Sequence, residues 1–183
     1  MDWIIPGTVL QADRDQAGQI PDQFRSMFFG GGIVLSQVAA ITGLEPYTVQ
    51  NWVRRGFLTS PEKKRYSLRQ LCRIININML KSVLPIERVC GLLGYVNGQL
   101  NDESDDIIDD SVLYFMFVGL AARARELYDP QEAEELLCQT MADYEEPMPG
   151  SRERVEKALR IMLVAWIAAR MRQEAECMLS EIE

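Results

Sequence analysis

Apolar residues recur at helical spacing along most of the chain, and glycine or proline residues separate the periodic segments. The clearest pattern is a pair of short helices, of which the first ends at Gly43 and the second begins at Pro46. Two short helices joined by a glycine-containing turn are typical of a helix-turn-helix. The positions expected to face inward are Leu35, Val38, Ala39 and Thr42 in the first helix and Val49, Trp52 and Val53 in the second.

The same criterion predicts helices on both sides of this pair. Before it, Pro21 opens a short helix over 21–29, which the three glycines at 30–32 end. Residues 1–20 carry no periodic signal and receive no element. After the pair, the pattern predicts helices over 68–80, 86–93, 112–127, 130–144 and 151–181. The sequence therefore predicts a mainly α protein.

The last predicted helix carries an apolar seam with spacings of 4, 3, 4 and 3 residues. The seam fails at Gln173, so it lasts about two heptads and is too short for a coiled coil. A buried face in a helical bundle and a contact between two copies explain it equally well. Its members are Val155, Leu159, Met162, Trp166 and Ala169.

The overall charge of −8 hides an uneven distribution along the chain. Residues 35–93 carry nine basic and three acidic side chains, a net charge of +6. Residues 94–150 carry two basic and fourteen acidic side chains, a net charge of −12. A basic block inside an acidic chain is expected of a segment that contacts phosphate, and the acidic block is expected to face away from it.

Composition excludes several classes of function. The chain has no histidine, and its four cysteines form no C-x-x-C pair, so zinc sites of the usual spacing and imidazole mechanisms are excluded. Nucleophile motifs and nucleotide-binding loops are absent from the sequence as well. We therefore predict a protein that is not an enzyme and takes no cofactor. All four cysteines have apolar sequence neighbours and are predicted to be buried free thiols.

The longest apolar run, at 112–122, has 11 residues, against the roughly 20 that a membrane-spanning helix needs. The N-terminal residues lack the basic region of a secretory signal. We expect a cytoplasmic protein without a membrane partner.

Five aspartates lie shortly before the helix predicted at Val112: Asp102, Asp105, Asp106, Asp109 and Asp110. If the helix extends over them, 105/109 and 106/110 share helical faces, which is one argument for a metal site. The segment lacks the glycine and terminal glutamate of an EF-hand loop. The favoured interpretation is that the carboxylates stabilise the N-terminus of the helix through its dipole, and no metal site is predicted.

The segment LSQVAAITGLEPYTVQNWVRRGFL, residues 35–58, resembles the DNA-binding domain of the MerR-like winged-helix group. The resemblance continues in SPEKKRYS, which looks like the wing, and in the following helix pair up to residue 93. Gln50 stands where MerR proteins usually carry an arginine, and Glu45 where they usually carry a serine or threonine. These departures favour the smaller excisionase-like variants. The whole chain is also similar to an uncharacterised bacterial family built around such a module.

The resemblance implies a winged helix-turn-helix domain at 35–93, after an N-terminal extension at 1–34 and before an acidic helical domain at 94–183. That last domain is expected to serve dimerisation or effector binding. The implied function is sequence-specific binding of double-stranded DNA by a homodimeric transcriptional regulator. One alternative is an interaction module of the same fold whose basic face binds an acidic protein. Another is a small apolar effector enclosed by the C-terminal helices.

The residues predicted to contact DNA follow from the chemistry of its surface. Outward amides and a guanidinium on the second helix suit base edges, whereas a basic loop and two helix N-termini suit phosphates. Trp52 is expected in the core, because valines flank it on the same face. The predicted contact residues are Ser36, Tyr47, Thr48, Gln50, Asn51, Arg54, Arg55, Lys63, Lys64 and Arg65.

Overall fold

The computed structural model describes residues 2–124 and 128–182, which confirm the mainly α class. Eight α-helices lie in this part of the chain: α1 (Ile20–Ser26), α2 (Leu35–Thr42), α3 (Pro46–Arg54), α4 (Leu68–Leu80), α5 (Ile86–Asn97), α6 (Asp110–Arg123), α7 (Pro130–Thr140) and α8 (Ser151–Ser180). Two antiparallel sheets of two strands each accompany them, β1 (Asp2–Ile4) with β2 (Gln11–Asp13) and β3 (Ile33–Val34) with β4 (Arg65–Tyr66).

The N-terminal hairpin β1–β2 closes one end of the helical core. At Gly7 the backbone φ is 73°, and a Cβ atom there would lie 2.7 Å from the carbonyl oxygen of Ile75, so glycine permits this close approach. The Tyr114 hydroxyl donates to the carbonyl oxygen of Pro6 at 3.0 Å, and the Asn78 amide donates to that of Gly7 at 3.0 Å. Strands of three residues are too short to show an alternation of apolar and polar residues. The sequence of residues 1–20 therefore predicts no helix or strand.

Helix α4 lies at the centre of the molecule and packs against α2, α5, α6 and α8. Its predicted bounds, 68–80, are confirmed. A reciprocal cap fixes its start: Ser67 Oγ accepts from the Gln70 amide at 3.2 Å, and Gln70 Oε1 accepts from the Ser67 amide at 2.9 Å. The fully buried apolar residues of α4 include Leu71, Ile74, Ile75, Ile77 and Leu80.

One hydrophobic cluster joins the described parts of all three predicted segments. It contains Ile5 from the first, Trp52 from the second, and Phe117 and Leu159 from the third. The division at residues 34 and 93 stays a prediction. The seam predicted in the last helix faces this cluster, since its first four members are buried and Ala169 is half-buried. The bundle interpretation of that seam is therefore the better one.

Three helix ends differ from the sequence predictions. Helix α1 ends at Ser26 rather than at the glycines, and α7 ends at Thr140 rather than at 144. Helix α5 runs past Gly94 to Asn97, because Val96 and Asn97 are buried and the Asn97 amide donates to the carbonyl oxygen of Ile108. Tertiary contacts thus override the weak helix propensity of glycine.

Between α5 and residue 109 the chain forms one short 3₁₀ helix, Glu103–Asp105, and no α-helix. Helix α6 begins at Asp110, while Asp106 and Asp109 have extended backbone conformations. The predicted shared helical faces 105/109 and 106/110 are therefore wrong. Asp109 is instead the N-cap, since its Oδ1 accepts from the Ser111 amide at 2.7 Å, which agrees with carboxylates at a helix N-terminus. The predicted C-terminal end of this helix, Leu127, lies outside the described residues.

The prediction of four buried thiols is only partly correct. Cys72 is buried and Cys90 is half-buried, but Cys138 and Cys177 are exposed. The exposed two have apolar neighbours in sequence, but a helix turns successive side chains to different sides, so such a neighbour does not fix the direction of the thiol. Leu137, for example, is fully buried beside the exposed Cys138.

Candidate nucleic-acid interface

The outer face of α3 carries most of the residues predicted to read bases. Tyr47, Gln50 and Arg54 are exposed, and the side chain of Tyr47 is among the most exposed aromatics. Thr48 and Asn51 are half-buried at the edge of the same face. The opposite face holds Val49 and Trp52 in the core, as expected for Trp52. The face is therefore open to a macromolecular partner.

Helix α2 supports α3 from behind. Its C-terminus is Gly43, whose φ of 69° ends the helix in the left-handed conformation. Buried Val38 and Ile41 of α2 join Val49 of α3 in the hydrophobic cluster. Ser36 is exposed in the first turn of α2, where free backbone amides are available to an anion.

A tight turn at residues 62–65, which we call the lysine turn, places two lysines beside this helix pair. The backbone φ angles are 48° at Lys63 and 64° at Lys64, and the Arg65 amide donates to the carbonyl oxygen of Glu62 at 2.8 Å. Both lysine side chains are exposed. Turns with two positive φ values normally contain glycine or asparagine, because a Cβ atom disfavours that conformation.

The turn is attached to the body at both of its ends. On one side, β4 pairs with β3 in the register Val34 to Arg65, and the Arg65 guanidinium donates to the carbonyl oxygen of Gly32 at 2.8 Å. On the other side, the side-chain Nε2 of Gln70 donates to the carbonyl oxygens of Thr59 and Ser60 at 3.2 and 3.1 Å. The two lysines are thus held at a fixed place relative to α2 and α4.

Arg55 is exposed but already has intramolecular partners. Its guanidinium pairs with the Glu87 carboxylate at 2.7 Å and lies over the Phe57 ring, 4.5 Å from the centroid. These contacts orient the side chain toward α5 and the end of α3. Arg55, like Arg65, must therefore give up an intramolecular contact if its guanidinium is to bind a ligand.

Two basic residues of the 35–93 block face inward and bind the acidic segment. Arg69 pairs with Asp106 at 2.6 Å and lies 3.7 Å from Asp109, and Arg73 pairs with Asp110 at 3.2 Å. Arg73 is 7% exposed and Asp110 only 1%. Sequence reasoning counted both arginines in the basic block without finding these partners. The four-residue spacing of Arg69 and Arg73 places them on one helical face but does not identify their partners.

Burial controls the ionisation of this cluster. Burial raises the pKa of Asp110 from 3.8 to about 6, and the nearby Arg73 guanidinium opposes part of that rise. Burial likewise raises the pKa of Asp106, with Arg69 opposing it. Asp110 Oδ1 has no hydrogen-bond donor in the described part of the chain. Asp110 and Arg73 also line a cavity of about 590 Å³ beneath the lysine turn.

Residues 2–124 and 128–182 also bear on membrane-spanning helices and metal sites. No helix in this part is both long enough and apolar enough to cross a membrane. The same residues contain no group of three or more histidine, cysteine, aspartate or glutamate side chains arranged to hold a metal ion.

Comparison with known proteins gives a family match over part of the chain. Residues 34–117 match the family described as "Domain of unknown function (DUF1836)". The chain is also distantly similar to the uncharacterized protein YkrK of Bacillus subtilis (strain 168), with 29% identity over 86 residues. That alignment covers 45% of this chain and 37% of YkrK. No solved structure matches the chain. The family match starts just before α2 and ends inside α6, so it includes both the exposed basic face and Asp106 to Asp110.

Proposed function

We propose that this protein is a sequence-specific DNA-binding protein, acting as a dimer in transcriptional regulation, with a winged helix-turn-helix at residues 35–93. In this proposal α2 and α3 form the helix-turn-helix, and the lysine turn with β3 and β4 forms the wing. The single observation that carries the proposal is that the outer face of α3 and the lysine turn both expose basic side chains to solvent.

The distribution of charge supports the proposal. Seven of the nine basic side chains of residues 35–93 are exposed, and the two that are not are Arg69 and Arg73. The acidic segment pairs with these two inward-facing arginines and leaves the outer ones to solvent. The exposed side chains of Arg54, Lys63, Lys64 and Arg65 would then attract the phosphates of a duplex.

The backbone of the lysine turn supports it too. A non-glycine residue in the left-handed region costs roughly 1–2 kcal/mol. Lys63 and Lys64 occupy that region consecutively, where Asn-Gly is the stabilising choice. Strain of this kind is retained at functional sites, where the side chains contribute something that stability does not require. A cationic tip for a phosphate or a minor groove is such a contribution.

The contacts in the proposed complex divide by their chemistry. The side-chain amides of Asn51 and Gln50 can accept from adenine N6 and donate to adenine N7. Arg54 suits a guanine edge or a phosphate. Lys63, Lys64 and the amides of the first turn of α2 serve the backbone. Base contacts then select the site, while phosphate contacts supply most of the affinity and its dependence on salt.

The test is selection of bound fragments from genomic DNA, followed by affinity measurement on the selected site at two salt concentrations. We expect the double variant Asn51→Ala, Arg54→Ala to bind that site about tenfold or more weakly, because each base contact is worth roughly 1–3 kcal/mol. The control is Arg25→Ala, which removes one exposed positive charge from α1 and should bind like the wild type.

Three outcomes would contradict the proposal. Undiminished selective binding by the double variant would overturn the assignment of the base-reading residues. An equally large loss of affinity in Arg25→Ala would mean that overall charge alone governs binding. Absence of selected fragments at both salt concentrations would leave the basic face as a surface for an acidic protein.

A further inference from the structure

Helix α8 carries a second apolar seam, on the side away from the core. The residues are spaced 3, 4, 3, 4, 3 and 4 positions apart over three heptads. They are Ile161, Val164, Ala168, Met171, Ala175, Met178 and Ile182, and all of them are exposed. We call this set the outer seam. It is distinct from the inner seam of 155–169, which packs into the hydrophobic cluster.

The N-terminal half of the outer seam borders an apolar groove. The groove has a volume of about 410 Å³, and Val83 and Leu84 after α4, Tyr128, and Ile161 and Val164 of α8 are among its walls. The groove does not include the seam residues from Met171 onward. Every described residue of α8 after Arg170 is exposed, so the C-terminal half projects from the body.

We infer that the outer seam is a homodimer interface in which two α8 helices cross antiparallel, and the projecting end of each fills the groove of the other. A two-fold axis between the helices places the same surface on both copies, so the contact closes on itself. The inference concerns the dimeric part of the proposed function and rests on α8 alone.

The sizes of the seam residues favour the antiparallel direction. In one register Ile161 lies opposite Met178 of the second copy, Val164 opposite Ala175, and Ala168 opposite Met171. Each alanine then meets a larger side chain, as a well-packed seam requires. A parallel pair would put each residue opposite itself, so that both alanines would face alanines and leave gaps.

The charges along α8 favour the same direction. Residues 157–172 carry four basic side chains and no acidic one, whereas residues 173–183 carry four glutamates and no basic one. The antiparallel register lays the acidic end of each helix along Lys157 and Arg160 of the other, with Glu181 beside Arg160, which within its own chain pairs with Glu134 and Glu156. A parallel pair would align like charges over the whole seam.

The groove identifies what the projecting end binds. Its wall is almost wholly apolar and lies beside Ile161, the residue that the register places opposite Met178 of the second copy. Met178, Leu179 and Ile182 are 63%, 54% and 81% exposed in the single chain. Exposed apolar clusters of this extent mark protein interaction sites. The antiparallel dimer covers both the end and the groove at once.

The first test is the mass of the purified full chain by light scattering in the absence of DNA. We expect twice the chain mass of 20.9 kDa at tens of micromolar. Met178→Glu should raise the dimer dissociation constant about 100-fold, because symmetry buries two carboxylates at once. Ser180→Glu is the matched control, since it adds the same charge two residues away on another face and should stay dimeric.

The second test fixes the direction, in a background where Cys138→Ser and Cys177→Ser remove the exposed thiols. Under mild oxidation, Ile161→Cys with Met178→Cys should give a covalent dimer, and Met178→Cys alone should not. In the antiparallel register the two copies of residue 178 lie about 26 Å apart along the axis. Crosslinking of Met178→Cys alone would overturn the antiparallel arrangement.

A monomeric wild type, or a dimer that persists in Met178→Glu, would overturn the inference altogether. Circular dichroism of Met178→Glu checks that the variant keeps its helical content. Because none of these measurements uses DNA, their failure is distinguishable from failure of the proposed DNA binding.

Discussion

Arg73 and Asp110 are the residues at which the basic and acidic blocks meet. They lie 37 positions apart in sequence, and the Arg73 guanidinium binds both the Asp110 carboxylate and the carbonyl oxygen of Phe57. Since both side chains are buried, neither charge is compensated by water when the other is removed. The pair therefore links the end of α3, α4 and the start of α6.

We expect Arg73→Met to lower the free energy of unfolding at neutral pH by about 3 kcal/mol or more, because it leaves the Asp110 carboxylate buried beside an apolar group. Adding Asp110→Leu should recover most of that stability, since an apolar pair of similar volume avoids both desolvation penalties. Chemical denaturation of the two variants measures this difference. A double variant that is no more stable than Arg73→Met would contradict this account of the pair.

The raised pKa of Asp110 makes a signed prediction about pH. The folded state holds the Asp110 proton up to about pH 6, while the unfolded state releases it near 3.8. Between these values the folded state binds more protons, so this residue's contribution to stability falls as pH rises. Relative to Asp110→Asn, the wild type should therefore lose up to ~3 kcal/mol across that window. Parallel denaturation curves measure it, and a constant difference would refute it.

Single residues also show which side-chain environments can be predicted from the sequence and which cannot. Trp52 was placed in the core correctly, because flanking valines at helical spacing are a local signal. The partners of Arg69 and Arg73 were missed, because a contact between distant segments leaves no local signal. Cys138 and Cys177 were placed in the interior because of apolar neighbours, although the direction of a side chain depends on which face of its helix is covered.

At the level of elements, the lysine turn carries two lysines at positions where asparagine and glycine would be more stable. Replacing Lys63 by Asn and Lys64 by Gly should raise the free energy of unfolding by about 1 kcal/mol, because both positive φ values are then favoured. The same variant should bind DNA more weakly, and its salt slope should fall by about one for each phosphate that the lysines bind in the wild type. Denaturation and salt titration of binding measure the two effects.

The matched control for this turn is Lys63→Ala with Lys64→Ala, which removes the same charges and keeps the strain. Its DNA affinity should fall to the same extent, without a gain in stability. Greater stability in the alanine variant than in the Asn-Gly variant would contradict the assignment of strain to these positions.

Elements were predictable where their ends carry local chemistry. The start of α4 follows from the Ser67 and Gln70 cap, and the end of α2 follows from Gly43. The strands β1 to β4 could not be found, because two or three residues show no alternation, and β3 and β4 are in addition distant in sequence. The sequence analysis identified only the inner seam of α8, although the outer seam on the same helix has the same heptad spacing.

At the scale of the whole molecule, the basic face depends on packing that lies outside residues 35–93. Helix α4 buries one side against α6 and α8, and the Tyr114 hydroxyl of α6 binds the N-terminal hairpin at Pro6. The family match agrees with this dependence, because it extends to residue 117 and so includes most of α6. The unit that folds is therefore expected to be larger than the unit that contacts DNA.

A fragment of residues 35–93 tests this dependence directly. It would expose the apolar side of α4 and leave Arg69 and Arg73 without their carboxylates, so it should lack a cooperative thermal transition. The full chain, whose segments share one hydrophobic cluster, should unfold in a single transition. Calorimetry and circular dichroism of the two proteins compare them. A cooperative transition in the fragment, or two separate transitions in the full chain, would contradict this dependence. Residues 35–93 would then be a domain that folds without the residues around it.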